Sequence, residues 1–127
     1  MVNSISLISS TTCNLNCSFC YLHKNQSYKE FAKLVRQAWA DGSYLNNALK
    51  TVERLGPPEG VQQCQLWGGE TLLHIDDITK NLKQFYQYFP NVKLWRISTN
   101  WLIDVNQFFE FIKEMDLYAP EGTEIMT

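Results

Sequence analysis

Hydrophobic and polar positions follow two alternating periods along this chain, one typical of strands and the other of helices. Short runs of β-branched or apolar residues predict strands, and the longer segments between them carry apolar residues three or four positions apart. The predicted strands are Ser4–Ser10, Val61–Trp67, Val92–Thr99 and the opening of a fourth at Thr123–Thr127. This alternation predicts an α/β fold with a parallel sheet and right-handed crossovers, whose loops meet at the carboxyl ends of the strands.

Capping residues mark where the predicted helices begin. Ser27 to Glu30 is a Ser-x-x-Glu capping box, Asp104 to Gln107 is its Asp-x-x-Gln form, and Asp76 and Asp77 suit another helix amino terminus. Turns are predicted at Asp41-Gly42-Ser43 and at Gly56-Pro57-Pro58-Glu59-Gly60. The apolar residues at helical spacing, predicted to form the buried faces, are Phe31, Leu34, Val35, Ala38, Trp39, Leu45, Ala48, Leu49, Val52, Leu55, Ile78, Leu82, Phe85, Phe89, Phe108, Phe109, Ile112 and Met115.

The second predicted strand has one core-like face and one mixed polar face. Parity places Cys64 and Leu66 on the first face, and Gln63, Gln65 and Trp67 on the second. A cysteine on an apolar strand face is usually a small buried hydrophobic residue. We therefore predict a structural role for Cys64.

Three cysteines, Cys13, Cys17 and Cys20, lie within eight residues directly after the first predicted strand. Three thiolates are one fewer than a cubane iron–sulfur cluster needs, so one iron would be left open for chemistry. Structural zinc sites usually collect four ligands as two pairs; here only one Cys-x2-Cys gap exists, and His23 and His74 stand apart. The spacing favours a [4Fe-4S] cluster and leaves a zinc-binding interaction module as a remote alternative.

A second motif, Leu66-Trp67-Gly68-Gly69-Glu70-Thr71-Leu72-Leu73-His74, closes the second predicted strand. With Cys-x3-Cys-x2-Cys before it, the chain resembles the radical S-adenosylmethionine (radical SAM) superfamily, most closely its branch of peptide and protein maturases and sulfatase-maturing enzymes. Ile97-Ser98-Thr99-Asn100 is a third match, while Thr71 and Trp101 replace the usual Pro and Gly of that branch. All three motifs fall at carboxyl ends of predicted strands, which would bring them around one site.

The resemblance implies a partial (β/α) barrel and a reaction in which a reduced [4Fe-4S] cluster cleaves SAM. Methionine and a 5′-deoxyadenosyl radical would form, and the radical would abstract hydrogen from substrate. Cys13, Cys17 and Cys20 would each ligate one iron, and the fourth iron would bind SAM. The residues that the resemblance implies for SAM binding are Phe19, Gly68, Gly69, Glu70, Ser98 and Asn100.

Two of these implied contacts have a simple physical basis. Gly68 and Gly69 have no Cβ and would let the backbone approach the methionine end of SAM, where Glu70 would offer a carboxylate to the ammonium group. Arg96, inside the third strand, is the one charged residue expected to face the barrel lumen. In the lumen, Arg96 would bind a carboxylate of substrate or cofactor.

Length is the main departure from the family. The resemblance covers residues 4–127, yet a full radical SAM core has six β/α units, so residues 1–127 are expected to be its amino-terminal part, truncated after about three and a half units. Expected partners are SAM, a reducing electron donor, a peptide or protein substrate, and a missing carboxyl-terminal half or partner chain. A radical SAM enzyme and a non-catalytic iron–sulfur or SAM-binding fragment both stay open.

Composition agrees with a folded domain. Apolar residues make up 45% and charged residues 19%, with a formal net charge of −2, which favours neither disorder nor a nucleic-acid-binding surface. No stretch approaches the ~20 apolar residues of a membrane span, so no membrane partner is predicted. Cysteines kept as reduced thiolates indicate a reducing compartment, which predicts the cytoplasm.

Overall fold

Four parallel strands and five helices make up the part of the chain that the computed structural model describes, residues 3–10, 26–68, 70–101 and 103–127. The strands are β1 (Ser4–Ser10), β2 (Gln63–Gly68), β3 (Leu94–Ile97) and β4 (Glu124–Met126). The helices are α1 (Gln26–Asp41), α2 (Ser43–Glu53), α3 (Ile75–Lys80), α4 (Leu82–Tyr88) and α5 (Val105–Tyr118). A short 3-10 turn at Pro58–Gly60 precedes β2.

The strands lie in the order β1-β2-β3-β4, and each pairs in parallel with its neighbours. When successive right-handed β-α-β connections each add the next strand on the same side of the sheet, their helices all lie on one face of it. Burial along β3 follows this rule, since Trp95 and Ile97 are buried whereas Arg96 is exposed. The predicted α/β class with a parallel sheet is confirmed, and one face of the sheet carries the core.

An aromatic cluster on Trp95 forms the centre of that core. Trp95 is fully buried, and its ring lies 4.8 Å from that of Phe85 and 5.6 Å from that of Phe111, centroid to centroid. Its indole Nε1 donates to the Tyr86 hydroxyl at 2.8 Å, and that hydroxyl lies 3.2 Å from the Val92 carbonyl oxygen. Because these buried polar groups are paired, the cluster joins β3 to α4 and α5 without an unsatisfied donor.

The predicted faces of β2 are confirmed. Cys64 and Leu66 are fully buried, whereas Gln65 is exposed and Trp67 is 49% exposed. Burial raises the pKa of the Cys64 thiol well above its usual range, so this side chain stays protonated. The structural role predicted for Cys64 agrees with its place in the core.

Four residues assigned to buried helix faces are instead exposed: Phe31, Leu34, Leu55 and Phe109. The buried stripe of α1 runs through Ala32, Val35 and Trp39, and a rotation of about 100° per residue carries Leu34 away from it. Leu55 lies beyond the end of α2, and in α5 Phe111 is buried rather than Phe109. The other residues predicted for these faces are buried or partly buried: Val35, Ala38, Trp39, Leu45, Ala48, Leu49, Val52, Ile78, Leu82, Phe85, Phe89, Phe108, Ile112 and Met115.

Helix boundaries mostly follow their predicted signals. Gly42 adopts a φ of +79° between α1 and α2, and Asp104 caps α5 by accepting a hydrogen bond from the Asn106 nitrogen at 2.9 Å. The segment after Asp76 and Asp77 is two short helices, because the chain leaves helical geometry at Asn81. Helix α1 begins one residue before the predicted cap, Ser27. Within the described ranges, the helices are all too short or too polar to cross a membrane.

Candidate functional site

The carboxyl ends of β1, β2 and β3 lie side by side at one edge of the sheet. Ser10, the last residue of β1, pairs with Gly68, and Leu66 of β2 pairs with Ile97 of β3. Ser10, the last described residue before the cysteines, therefore lies beside Gly68. Cys13, Cys17, Cys20, Phe19 and Gly69 lie outside the residues that the structure describes, so their predicted roles stay predictions.

Gly68 has a backbone conformation that suits glycine. Its φ is +138°, a value that residues with a Cβ rarely adopt, and it ends β2 at the register irregularity opposite Ser10. The backbone can therefore turn away from the sheet here without steric cost. A side chain at this position would strain the turn.

The Glu70 carboxylate links this turn to the end of β3. Glu70 is 2% exposed; its Oε1 accepts the Leu72 N–H at 3.2 Å and the Thr99 hydroxyl, and its Oε2 accepts the Asn100 N–H at 2.8 Å. A buried carboxylate is stable only when such donors replace its lost hydration. Glu70 therefore fixes the position of Thr99 and Asn100 relative to the segment that follows β2.

A second link runs parallel to the first. The Thr71 hydroxyl donates to the Ser98 carbonyl oxygen at 2.5 Å, and Thr71 is 2% exposed. Together, Glu70 and Thr71 hold the β2 turn against the three residues that follow β3. Sequence reasoning missed the roles of Thr71 and Thr99, because nothing in a one-dimensional pattern shows which hydroxyl meets which strand end.

The end of β1 is held from the opposite side by the helix pair α1 and α2. Trp39 Nε1 donates to the Ile8 carbonyl oxygen at 2.9 Å, and the Ile8 N–H donates to the Tyr44 hydroxyl at 2.6 Å. Trp39 is 1% exposed and its ring stacks on that of Tyr44 at 4.4 Å between centroids. The strand that leads into the cysteine segment is thereby fixed two residues before its end.

An ion pair joins α1 to the first turn of α3. Arg36 Nε lies 3.0 Å from Asp77 Oδ2, and Arg36 also lies 4.0 Å from Asp76. Hydrogen bonding to Asp77 raises the pKa of Arg36, so the guanidinium stays charged. Burial lowers the pKa of His74, and the Arg36 charge lowers it further against the opposing effect of Asp77 and Asp76. The neutral form of the His74 imidazole is therefore favoured.

Trp101 follows Asn100 in the left-handed region, with a φ of +62°. Its N–H donates to the Thr99 hydroxyl at 3.1 Å and its ring meets that of Phe108 edge to face at 5.3 Å. These contacts offset the steric cost of a side chain at a position where glycine would be unstrained. Trp101, which stands where the family resemblance has Gly, is thus accommodated in the left-handed conformation.

Four of the residues predicted to bind SAM lie in the described part of the chain, whereas Arg96 and Cys64 occupy other parts of the fold. Gly68, Glu70, Ser98 and Asn100 lie together at the carboxyl edge, and their contacts with SAM stay predictions. Arg96 lies on the sheet face opposite the core, and Cys64 is buried in the core away from this edge.

A ligand set for a metal has to come from outside the described ranges. Among the residues with described side chains, no group of three His, Cys, Asp or Glu residues could hold a metal ion. The three cysteines that follow β1 supply thiolates, the donors that iron–sulfur clusters take. Because their segment begins next to Gly68, this donor set fits a cluster at the same edge of the sheet.

Comparison with known protein families identifies a 4Fe-4S domain family. A family model described as a 4Fe-4S single cluster domain matches residues 5–120, which includes the three cysteines and both later motifs. No curated protein and no solved structure matches the chain. The matched range begins in β1 and ends just after α5.

Proposed function

The chain belongs to the family of 4Fe-4S single cluster domains, and from this membership we propose that it is a radical SAM iron–sulfur protein. The cluster is the cofactor that the family indicates, and Cys13, Cys17 and Cys20 are its proposed ligands. The proposed substrate is a peptide or protein side chain, as in the maturase branch that the motifs resemble. Because cysteine ligands have to stay reduced, the proposed location is the cytoplasm, a reducing compartment.

One observation carries the proposal: the link from Glu70 to Thr99 and Asn100 joins the second and third motifs at the edge where the cysteine segment begins. Two motifs that are far apart in sequence thus meet beside the end of the strand that precedes the cysteines. The sheet order, with each strand added on the same side, also suits an arc of a (β/α) barrel. Both features support a radical SAM core, of which this chain would supply the first units.

In the proposed site, the chain's own residues bind and orient SAM. Gly68 lets the backbone approach the methionine end. Glu70 Oε2 accepts one hydrogen bond from the described residues, and a carboxylate oxygen has two lone pairs, so it keeps acceptor capacity for the ammonium group. Ser98 and Asn100 supply further polar groups, and Phe19 is proposed to contact the adenine.

A cluster held by Cys13, Cys17 and Cys20 would, once reduced, supply the one electron needed to split a carbon–sulfur bond of SAM, which would give methionine and a 5′-deoxyadenosyl radical able to take a hydrogen atom from substrate. The role of the protein is to position SAM and substrate and to exclude water. The fixed ends of β1, β2 and β3 serve that role, because none of them can shift without breaking a described hydrogen bond.

Anaerobic reconstitution with iron and sulfide, followed by reduction in the presence of SAM, tests the proposal. We expect the wild-type chain and Cys64→Ala to incorporate the cluster and to release 5′-deoxyadenosine, and Cys17→Ala to do neither. Cys64→Ala is the matched control, since it removes a thiol that is buried in the core.

Two other outcomes would contradict the proposal in different ways. A cluster that forms without SAM cleavage would indicate a non-catalytic iron–sulfur or SAM-binding fragment. One zinc per chain with no iron, after both aerobic and anaerobic preparation, would indicate a zinc-binding module and would also contradict the family assignment.

A further inference from the structure

The sheet face opposite the helices carries a distinctive set of side chains, which we call the open face. Its members are Ser4, Ser6 and Ile8 of β1, Gln63, Gln65 and Trp67 of β2, Leu94 and Arg96 of β3, Ser98 after it, and Glu124 and Met126 of β4. Of these described residues, Arg96 is the only cation and Glu124 the only anion. The other members are neutral, so the two opposite charges, in different register rows, decide which part of the face attracts an anionic ligand.

Arg96 lies in the register row nearer to the candidate site. Ser6, Gln65, Arg96 and Met126 are aligned across the sheet, while Glu124 is aligned with Leu94 in the row closer to the amino ends. Two residues of a strand cover about 6.6 Å, so the Arg96 Cα is that far along β3 from the Ser98 Cα. An extended arginine side chain covers a similar distance, and the guanidinium can reach the level of the carboxyl edge.

The Arg96 guanidinium has no described partner. The three ion pairs among the described residues involve Arg36 and Lys113, and none includes Arg96 or Glu124. Arg96 is exposed, although it stands between the buried residues Trp95 and Ile97 in a central strand. An arginine has five N–H donors in a fixed fork that matches a carboxylate, so a guanidinium without a partner among the described residues is suited to bind that group.

From this arrangement we infer that Arg96 binds the carboxylate of an acidic residue in a peptide substrate, and that it sets the substrate preference of the site. The inference rests on the proposed function, because it takes the open face as the surface that presents substrate to the carboxyl edge. Trp67 lies one row further along β2 and is 49% exposed. Aromatic and arginine side chains together are typical of the centre of peptide-binding surfaces.

The test compares binding of two labelled peptides, Gly-Ala-Glu-Ala-Gly and Gly-Ala-Gln-Ala-Gly with the same dye, to the reconstituted chain by fluorescence anisotropy. The pair differs by one carboxylate only. We expect the Glu peptide to bind the wild type at least about tenfold more tightly than the Gln peptide, and Arg96→Gln to abolish that difference. Arg96→Lys should restore only part of it, since an ammonium lacks the planar fork.

Lys93→Gln is the matched control. Lys93 is an exposed cation that directly precedes β3, at the opposite end of the strand from the candidate site. Its removal changes the net charge as Arg96→Gln does, and we expect it to alter the preference for the Glu peptide by less than about twofold.

Three outcomes would overturn the inference: equal affinity for the two peptides, an equal loss in Lys93→Gln and Arg96→Gln, or a loss in Arg96→Gln of SAM binding alone. Iron and sulfide content is measured in every sample. A wild-type chain that takes up no cluster contradicts the proposed function, whereas a loaded chain without preference for the Glu peptide contradicts only the role of Arg96.

Discussion

The hydroxyl oxygen of Tyr44 lies 2.6 Å from the backbone nitrogen of Ile8, on the side of β1 that has no neighbouring strand among the described residues. Trp39 donates to the carbonyl oxygen of the same residue. Two side chains from the helix pair thus satisfy the backbone of an edge strand where it approaches the cysteine segment. Edge strands expose such groups, and side-chain partners stop them from pairing with another chain.

Tyr44→Phe is therefore expected to destabilise the protein by about 1–2 kcal/mol, because the Ile8 N–H loses its acceptor in a partly buried place. Urea unfolding measures the change. Tyr118→Phe is the control: Tyr118 is 38% exposed, and its replacement should change the unfolding free energy by less than about 0.5 kcal/mol. Equal midpoints for the two variants would show that the Tyr44 hydroxyl contributes nothing.

Glu70→Gln is expected to cost about 1–3 kcal/mol of unfolding free energy. One carboxylate oxygen is replaced by an NH2 group, which faces a donor that was previously bonded to Glu70. Glu121→Gln makes the same chemical change at an exposed position and should be close to neutral. If both variants unfold at the same urea concentration, Glu70 does not hold β2 to the end of β3.

Substitutions of Trp101 separate the contribution of its contact with Phe108 from the cost of a side chain at a left-handed backbone position. Trp101→Ala loses the contact with Phe108 and keeps a Cβ at a φ of +62°, whereas Trp101→Gly loses the same contact and also relieves the backbone. We expect the Gly variant to be more stable than the Ala variant by about 1 kcal/mol. The opposite order in urea unfolding would mean that the left-handed conformation is not retained in the variants.

Stability should depend on pH through His74. Its pKa in the folded protein lies below the usual 6.5, chiefly through burial, so below pH 6.5 the unfolded chain binds a proton that the folded chain resists. The wild type should therefore lose stability as the pH falls through 6.5, and His74→Gln should lose less over the same range. Urea unfolding at several pH values measures this difference.

The chain has two histidines, so His23→Gln shows which of them carries the pH dependence. A flatter pH profile for His23→Gln, with an unchanged one for His74→Gln, would contradict the assignment to His74.

The local sequence pattern was sufficient to predict burial where the burial of a residue depends only on its own strand. The alternation along β2 predicted that Cys64 and Leu66 would be buried and Trp67 exposed, since successive side chains of a strand point to opposite faces. Helical spacing predicted that Leu34 would be buried, and this was wrong. Helix α1 has 16 residues and carries more apolar side chains than its buried face can hold. Which apolar residues are buried depends on how the helix is rotated against its neighbours.

The sequence by itself determined the kind of cofactor and the succession of strands and helices. Cysteine spacing predicts a ligand set and hydrophobic period predicts the type of each element, because both are local properties of the chain. Only the tertiary structure decided that Glu70 bonds to Thr99 and Asn100, that Thr71 bonds to Ser98, and that Arg96 lies on the open face without an ion pair to another described residue. These relationships depend on strand register and helix packing, which arise from contacts between residues about 30 positions apart.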